Sequence, residues 1–218
     1  MTNEAKTDSK QALLLAAQKV FAEKGFDGAT VKDLADAAGV NVSLVSYHFG
    51  GKEGLYKACL LQFSAARLDA AVRILKTPTS ASELEVRLKL FAEELIDVHV
   101  REPDLCTIIH RDVQRMSDIG TEVFKQGFFE LFLTFVQFLR SAEKAKLTKK
   151  FKDHEKLATF IMGSLLHLLN TEPHRKLVGR PSINDKKYRE EALELWTEIT
   201  IAALGTHPSV LAASTQES

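Results

Sequence analysis

Cys106 and His110 lie four residues apart, so they would share one face of a helix, with Asp112 nearby. A thiol beside an imidazole is the smallest pattern that supplies a nucleophile and its base. The chain offers no glycine-rich loop to hold an oxyanion and no third residue spaced to orient the imidazole. No HxxxH or CxxC spacing occurs, so no metal site is predicted. We therefore expect no enzyme activity, no catalytic residue, no metal and no cofactor. A redox-sensing role for Cys106 stays open, with His110 and Arg111 as its basic neighbours.

A second group of polar side chains is concentrated within eight residues, and every member can form hydrogen bonds. The group consists of Asn41, Ser43, Ser46, Tyr47 and His48. The apolar residues Val45 and Phe49, four apart in the same stretch, would face inward. Such a polar face suits a partner that presents hydrogen-bonding edges, and the base edges of duplex DNA are one such partner.

The elements that would position this polar group are two short helices. Thr30 is a good N-cap residue, and Asp33 occupies the acidic position of a capping box. Gly39 supplies the residue with positive φ that ends the first helix. Asn41 or Ser43 can cap a second helix, which Gly50-Gly51 ends after Phe49. Two short helices joined by a tight glycine-containing turn predict a helix-turn-helix, whose second helix enters the major groove of DNA.

The segment from Phe21 to Tyr56 resembles the N-terminal DNA-binding domain of the TetR family of bacterial transcriptional regulators. Many matches at fixed spacings over about forty residues make this a specific resemblance, although it covers only the first quarter of the chain. The matching residues are Ala17, Phe21, Gly25, Phe26, Thr30, Val31, Leu34, Ala35, Ala38, Gly39, Val40, Tyr47, His48, Phe49, Lys52, Glu53, Leu55 and Tyr56.

The resemblance implies a set of DNA contacts at the helix-turn-helix. Its members are Thr30, Asn41, Val42, Ser43, Leu44, Ser46, Tyr47, His48 and Lys52, and Lys32 is added to the set as part of a local basic footprint. The start of the second helix would face the bases, Tyr47, His48 and Lys52 would touch mainly the DNA backbone, and Thr30 would bring a helix terminus to a phosphate. The second helix has no arginine, which is the commonest reader of guanine.

The charge balance is unusual for a protein with this motif, because the chain carries 29 basic and 29 acidic residues. The first sixty residues also balance, so we expect few phosphate contacts and a modest salt dependence of DNA binding. The N-terminus has no apolar segment typical of a signal peptide, and no apolar run approaches the ~18 residues of a membrane span. We expect a cytoplasmic protein without a membrane segment.

Helical periodicity continues through the rest of the chain, and no strand pattern occurs. We predict an all-α protein of about nine helices, with a three-helix DNA-binding domain at 1–52 and a helical regulatory and dimerisation domain at 53–210. Residues 1–8, 118–120, 171–184 and the C-terminal tail are predicted to be non-helical. Gly54 should weaken the long fourth helix by roughly 1 kcal/mol. The helices are predicted at about 9–24, 30–38, 43–49, 52–76, 82–101, 104–116, 121–144, 154–170 and 185–204.

Six of the thirteen phenylalanines fall in the helix predicted at 121–144. They could line an apolar ligand pocket or fill a packed core, and the composition does not separate these alternatives. The family resemblance implies an inducer pocket in this part of the chain, near which Met116 would also lie. The candidate pocket residues are Phe63, His99, Cys106, His110, Phe124, Phe128, Phe132, Phe135 and Met162.

The two helices predicted at 154–170 and 185–204 carry more apolar surface than packing against one core requires. The resemblance implies that the last two long helices form a homodimer with two-fold symmetry, suited to a palindromic operator. The candidate interface consists of Ile161, Leu165, Leu168, Leu195, Trp196, Ile199 and Ala203. The sequence thus predicts a TetR-like repressor that binds double-stranded DNA and is released by a small apolar or aromatic ligand. The alternative is a DNA-binding regulator without an inducer, whose C-terminal domain only dimerises or binds a protein.

Overall fold

A computed structural model describes residues 3–115 and 118–206, and the side chains of residues 8–111 and 121–206. Every regular element in those ranges is a helix, which confirms the all-α prediction. Eleven α-helices alternate with short turns, and a π-helical turn joins α7 to α8. Their bounds are α1 Asn3–Gly28, α2 Val31–Ala38, α3 Ser43–Phe49, α4 Lys52–Ile74, α5 Ala81–Arg101, α6 Pro103–Arg115, α7 Asp118–Val123, the π-helical turn Phe124–Phe128, α8 Phe129–Lys144, α9 His154–Asn170, α10 Glu172–Leu177 and α11 Lys186–Leu204.

Three stretches predicted to be non-helical are helical instead. Helix α1 begins at Asn3, because the segment before residue 9 contains Glu, Ala and Lys and no helix breaker. The turn predicted at 118–120 is the first turn of α7. The loop predicted at 171–184 contains α10, whose Pro173 lies in the first turn, where a missing N–H costs nothing. Met116 and the tail beyond residue 206 lie outside the described residues.

The first compact unit consists of the chain up to Arg67 together with Glu102–Phe129. It contains α1 to α3, most of α4, α6, α7 and the π-helical turn. Its core is aromatic, since Phe21 and Tyr56 are both fully buried and their ring centroids lie 4.7 Å apart in an edge-on arrangement. The DNA-binding domain predicted at 1–52 lies inside this unit.

The second compact unit consists of Leu68–Arg101 together with the chain from Glu130 onward. It is built mainly from α5, α8, α9 and α11. Phe91 and Phe135 stack with ring centroids 5.0 Å apart. The indole N–H of Trp196 donates to the carbonyl of Ile161 at 3.2 Å and to Ser164 Oγ at 3.1 Å. These bonds join α11 to α9. No helix among residues 3–115 and 118–206 is long and apolar enough to span a lipid bilayer.

Candidate nucleic-acid interface

Helix α2 begins with the capping box that the sequence predicts. The backbone N–H of Asp33 donates to Thr30 Oγ1 at 3.1 Å, and the N–H of Thr30 donates to Asp33 Oδ2 at 2.9 Å. Lys24 Nζ lies 2.8 Å from the same carboxylate. The hydrogen bonds from Lys24 and from both donors of Thr30 hold the pKa of Asp33 well below its ordinary value. These contacts satisfy backbone groups at the start of α2, and Gly39 ends the helix with a φ of 65°.

Helix α3, the second helix of the motif, is preceded by an Asx turn at Asn41. Asn41 Oδ1 accepts from the backbone N–H of Ser43 at 2.9 Å and from Ser43 Oγ at 2.7 Å. Val45 is fully buried, as predicted, and fixes the face of α3 that packs on the domain. Val42 and Tyr47 are 45% and 61% exposed, so α3 presents its other face to solvent.

His48 connects α3 to α1. Its Nε2 lies 2.9 Å from Ser9 Oγ, and its side chain is half-buried. This contact could not be predicted from the sequence, because Ser9 is 39 residues away and has no local motif. The geometry therefore gives His48 a structural contact in addition to its predicted role at the DNA backbone.

Lys52 is the first residue of α4, and its side chain binds other parts of the protein. Its ammonium donates to the carbonyl oxygens of Phe26 at 2.8 Å and Ala29 at 3.0 Å. It also lies 4.4 Å from the centroid of the Phe26 ring. Lys32, by contrast, is exposed on α2. The two lysines of the predicted interface therefore differ in how freely they can reach a phosphate.

The predicted DNA contacts fall into two groups by exposure. The exposed members lie at the start of α2 and along α3. Those at α3 form the mainly polar, solvent-facing surface that is expected of a helix that contacts DNA bases. The half-buried members are Leu44, His48 and Lys52, and the exposed members are Thr30, Lys32, Asn41, Val42, Ser43, Ser46 and Tyr47.

Two further residues support the motif. Arg111 on α6 donates to the carbonyl of Phe21 at 2.7 Å and to that of Ala22 at 3.3 Å, which satisfies carbonyls near the end of the main part of α1. Gly54 lies so close to the end of α3 that a Cβ there would be 1.8 Å from the carbonyl oxygen of Phe49. Neither role has a signal in the local sequence, because each depends on a residue brought near by the fold.

The N-terminal part of the chain matches a known protein family. The family model described as "Bacterial regulatory proteins, tetR family" matches residues 9–59, which span α1 to α3 and the start of α4. The N-terminal domain belongs to the TetR family. This confirms the resemblance carried by the residues from Phe21 to Tyr56.

Relatives and solved structures extend the likeness. The transcriptional repressor AcnR of Corynebacterium glutamicum is 42% identical over 66 residues, which cover 30% of this chain and 35% of AcnR. The AcnR of Corynebacterium efficiens is 32% identical over 46% of this chain and 58% of that protein. These matches therefore span only about a third to somewhat over half of the AcnR proteins.

Two longer matches cover most of the chain. The transcriptional regulator RutR of Escherichia coli strain K12 is 26% identical over 93% of both proteins. The fatty acid degradation regulator FadR of Bacillus halodurans superposes with a TM-score of 0.71 over 88% of this chain and 94% of FadR. FadR is 16% identical, so the superposition shows that the TetR-family domain and the helices after it share that fold.

The candidate pocket residues are distributed over both compact units. In the first unit, Phe63 and Phe128 have ring centroids 6.2 Å apart. In the second, Phe135 is fully buried and stacked, so it contributes to a packed core. The first unit holds Phe63, Cys106, His110, Phe124 and Phe128, and the second holds His99, Phe132, Phe135 and Met162.

The cysteine chemistry considered from the sequence has little support. Burial raises the pKa of Cys106 to about 12, and the nearby carboxylate of Glu102 acts in the same direction. Burial likewise raises the pKa of Cys59 to about 12. Both thiols are therefore protonated at neutral pH, whereas the thiolate is the reactive form. Among the side chains that the structure describes, no three His, Cys, Asp or Glu residues are grouped as metal ligands.

The candidate dimer residues divide into a buried group and an exposed group. Ile161, Leu165 and Trp196 are buried in the core of the second unit, so they have almost no surface left for a second copy. Leu168 is half-buried. Leu195 is 58% exposed and Ile199 61% exposed, and Ala203 follows four residues later on the same face of α11. The exposed apolar face of α9 carries Phe160, which is 77% exposed and is absent from the predicted set.

Proposed function

We propose that the chain is a homodimeric DNA-binding transcriptional repressor whose α3 lies in the major groove of an operator half-site. The observation that carries this proposal is the solvent-facing polar surface of α3 within the TetR-family domain. Val42, just before α3, and Ser46 and Tyr47 on α3 are exposed, whereas the side chains of Asn41 and Ser43 are already hydrogen-bonded to each other. We assign repression rather than activation because both AcnR relatives are named repressors. Its place of action would be the cytoplasm, where bacterial DNA is found.

This surface favours sparse base recognition. Asn41 Oδ1 already accepts two hydrogen bonds, whereas the bidentate reading of adenine needs both a free acceptor and a donor on the same amide. Val42 and Tyr47 can instead contact thymine methyl groups and the sugar-phosphate backbone. Half-sites rich in A·T pairs would fit these contacts best.

Dimerisation would use the exposed apolar surface of α9 and α11. Leu195, Ile199 and Ala203 repeat every four residues and form a stripe on α11, and Phe160 extends the apolar surface on α9. A Cβ at Gly163 would meet nothing within 4 Å, so a second copy could approach α9 closely there. A two-fold dimer would then place two α3 helices on half-sites separated by about 34–36 Å.

A small apolar or aromatic ligand would release the operator. Support comes from the first unit, in which Phe63 lies against Phe128 and Phe124 is 42% exposed beside Phe129. A ligand acts in this way only if it binds the state with mismatched half-site spacing more tightly than the DNA-competent state. The packed arrangement of Phe91, Phe135 and Phe138 favours the alternative, a regulator without an inducer. Native mass spectrometry of the purified protein separates the two by detecting a retained small molecule.

DNA binding is tested by selection from a library of random 40-base-pair duplexes, followed by sequencing. We expect enrichment of a palindrome with A·T-rich half-sites. Tyr47→Ala should weaken binding to the selected duplex while leaving thermal stability unchanged. Leu15→Ala, which truncates a comparably exposed side chain on α1, serves as the control. A folded protein that enriches no sequence would refute the proposal.

A further inference from the structure

Lys52 connects the chain just before α2 to the chain just after α3. Its ammonium donates to the carbonyl of Ala29, the residue just before the Thr30 cap of α2, and to that of Phe26 near the end of α1. Lys52 itself is the first residue of α4, three positions after the end of α3. The two bonds therefore join the start of α2 to the exit from α3, and the closed segment contains both helices of the motif.

The glycines before Lys52 make this closure possible. Gly50 has a φ of 73° and Gly51 a φ of 122°, and both values disfavour residues with a side chain. The chain reverses there and returns α4 to the end of α1. An aromatic contact supports this arrangement, because the Phe26 ring lies 5.0 Å from that of Tyr56 on α4.

These contacts use most of the hydrogen-bond donors of the Lys52 ammonium. A lysine has three N–H donors, and two of them reach carbonyl oxygens at 2.8 and 3.0 Å. The Phe26 ring, at 4.4 Å, adds a cation–π interaction. To bind a phosphate with the same donors, the ammonium would have to leave both carbonyls and the face of the ring.

We propose that Lys52 is a positioning residue for DNA recognition, and that it acts through the carbonyls of Phe26 and Ala29 instead of contacting a phosphate. It fixes the separation of α2 and α3 and thereby the angle at which α3 is presented. The proposal rests on the proposed DNA-binding function and departs from the backbone contact that the family resemblance implies for this position.

The test compares Lys52→Met and Lys52→Arg with wild type in the full-length protein. The first readout is the thermal midpoint without DNA. The second is the affinity for a fluorescein-labelled copy of the selected 40-base-pair duplex, measured at 10 °C after circular dichroism has confirmed that each variant is folded. The third is the slope of log K against log salt concentration, whose magnitude decreases by about 0.9 for each phosphate that the protein no longer neutralises. Lys32→Met is the matched control, because it removes the same charge from an exposed position on α2.

For Lys52→Met we expect a midpoint lower by about 4–8 °C, an affinity lower by about tenfold and an unchanged salt slope. Lys52→Arg keeps the charge, but the guanidinium is larger and planar, so both the midpoint and the affinity should stay low. Lys32→Met should leave the midpoint within about 2 °C of wild type.

Two results would overturn the proposal. A reduced salt slope with an unchanged midpoint, restored by Lys52→Arg, would make Lys52 a phosphate contact. A lowered midpoint with unchanged affinity at 10 °C would make it a stabilising residue with no influence on recognition. If the wild-type protein binds no duplex at all, the proposed function fails, whereas the midpoints still report whether the carbonyl contacts stabilise the domain.

Discussion

Replacing Gly54 by alanine should separate α3 from α4. Gly54 lies in the first turn of α4, and its α-carbon faces the last residue of α3. A Cβ at this position would lie 1.8 Å from the carbonyl oxygen of Phe49 and 2.9 Å from its carbonyl carbon. The obstacle is backbone, so no side-chain rotation can relieve the overlap.

The size of the effect follows from two opposing contributions. Ordinary van der Waals contact begins near 3.4 Å, so the two helices must move apart by about 1.6 Å at this point. Overpacking of this kind costs about 1–3 kcal/mol, and more where the backbone must shift. The gain in helix propensity from glycine to alanine offsets about 1 kcal/mol. Because the overlap is with backbone, the cost lies at the upper end of this range, and we expect a net decrease of about 2 kcal/mol in the free energy of unfolding, or about 4–8 °C in thermal midpoint.

The measurement is a thermal or urea unfolding curve, paired with DNA affinity well below the midpoint. Affinity should fall by more than about tenfold, because α3 loses its fixed orientation. Gly28→Ala is the control. Its Cβ would meet only Lys24 Cβ at an ordinary 3.6 Å, so that variant should be neutral or slightly stabilised. A Gly54→Ala protein as stable as wild type, or more so, would refute the close approach of α3 and α4.

Three further changes have defined outcomes. A Cβ at Gly127 would lie 2.2 Å from Ser64 Oγ, so Gly127→Ala should lower the urea midpoint, and adding Ser64→Gly should restore most of it by moving the missing side chain to the opposite helix. If the two effects simply add, the contact is not as described. Leu195→Glu with Ile199→Glu should convert a dimer to a folded monomer in sedimentation equilibrium, and a persistent dimer would place the interface elsewhere. Burial holds the pKa of His99 below its ordinary value of 6.5, so the unfolded chain takes up a proton first as the pH falls, and stability should decrease below about pH 6.5. His99→Gln should reduce the difference between urea midpoints at pH 7.5 and pH 5.5, and an unchanged difference would assign it to other groups.

Local chemistry explains which parts of the motif could be predicted. The Thr30–Asp33 capping box and the left-handed Gly39 depend on residues within a few positions of one another, so sequence spacing determines them. The contacts of Lys52 could not be inferred, because its carbonyl partners lie 23 and 26 residues away. Helix propensity makes Gly54 a weak point of α4, whereas the structure makes the missing side chain a requirement of packing.

The dimer surface shows a second limit of periodicity. From Ile161 to Leu169 nearly every residue of α9 is apolar or small, so the spacing of its apolar residues does not say which side meets the core. Ile161 and Leu165 are predicted at the interface and lie in the core, while the exposed Phe160 is not among the predicted residues. On α11 the pattern has the same ambiguity, and only Leu195, Ile199 and Ala203 of the predicted set remain available for a partner.

The first compact unit is assembled from two separated stretches of chain, and this has a consequence for synthesis on the ribosome. The segment up to Arg67 is complete 35 residues before Glu102, where the second stretch begins. At translation rates of about 5–20 residues per second, this gap lasts roughly 2–7 s. During that interval α6 has not yet been synthesised. The carbonyls of Phe21 and Ala22 therefore lack their hydrogen bonds from the guanidinium of Arg111. A messenger truncated near codon 67 would therefore yield every residue of the helix-turn-helix, but not α6, whose Arg111 binds the carbonyls of α1.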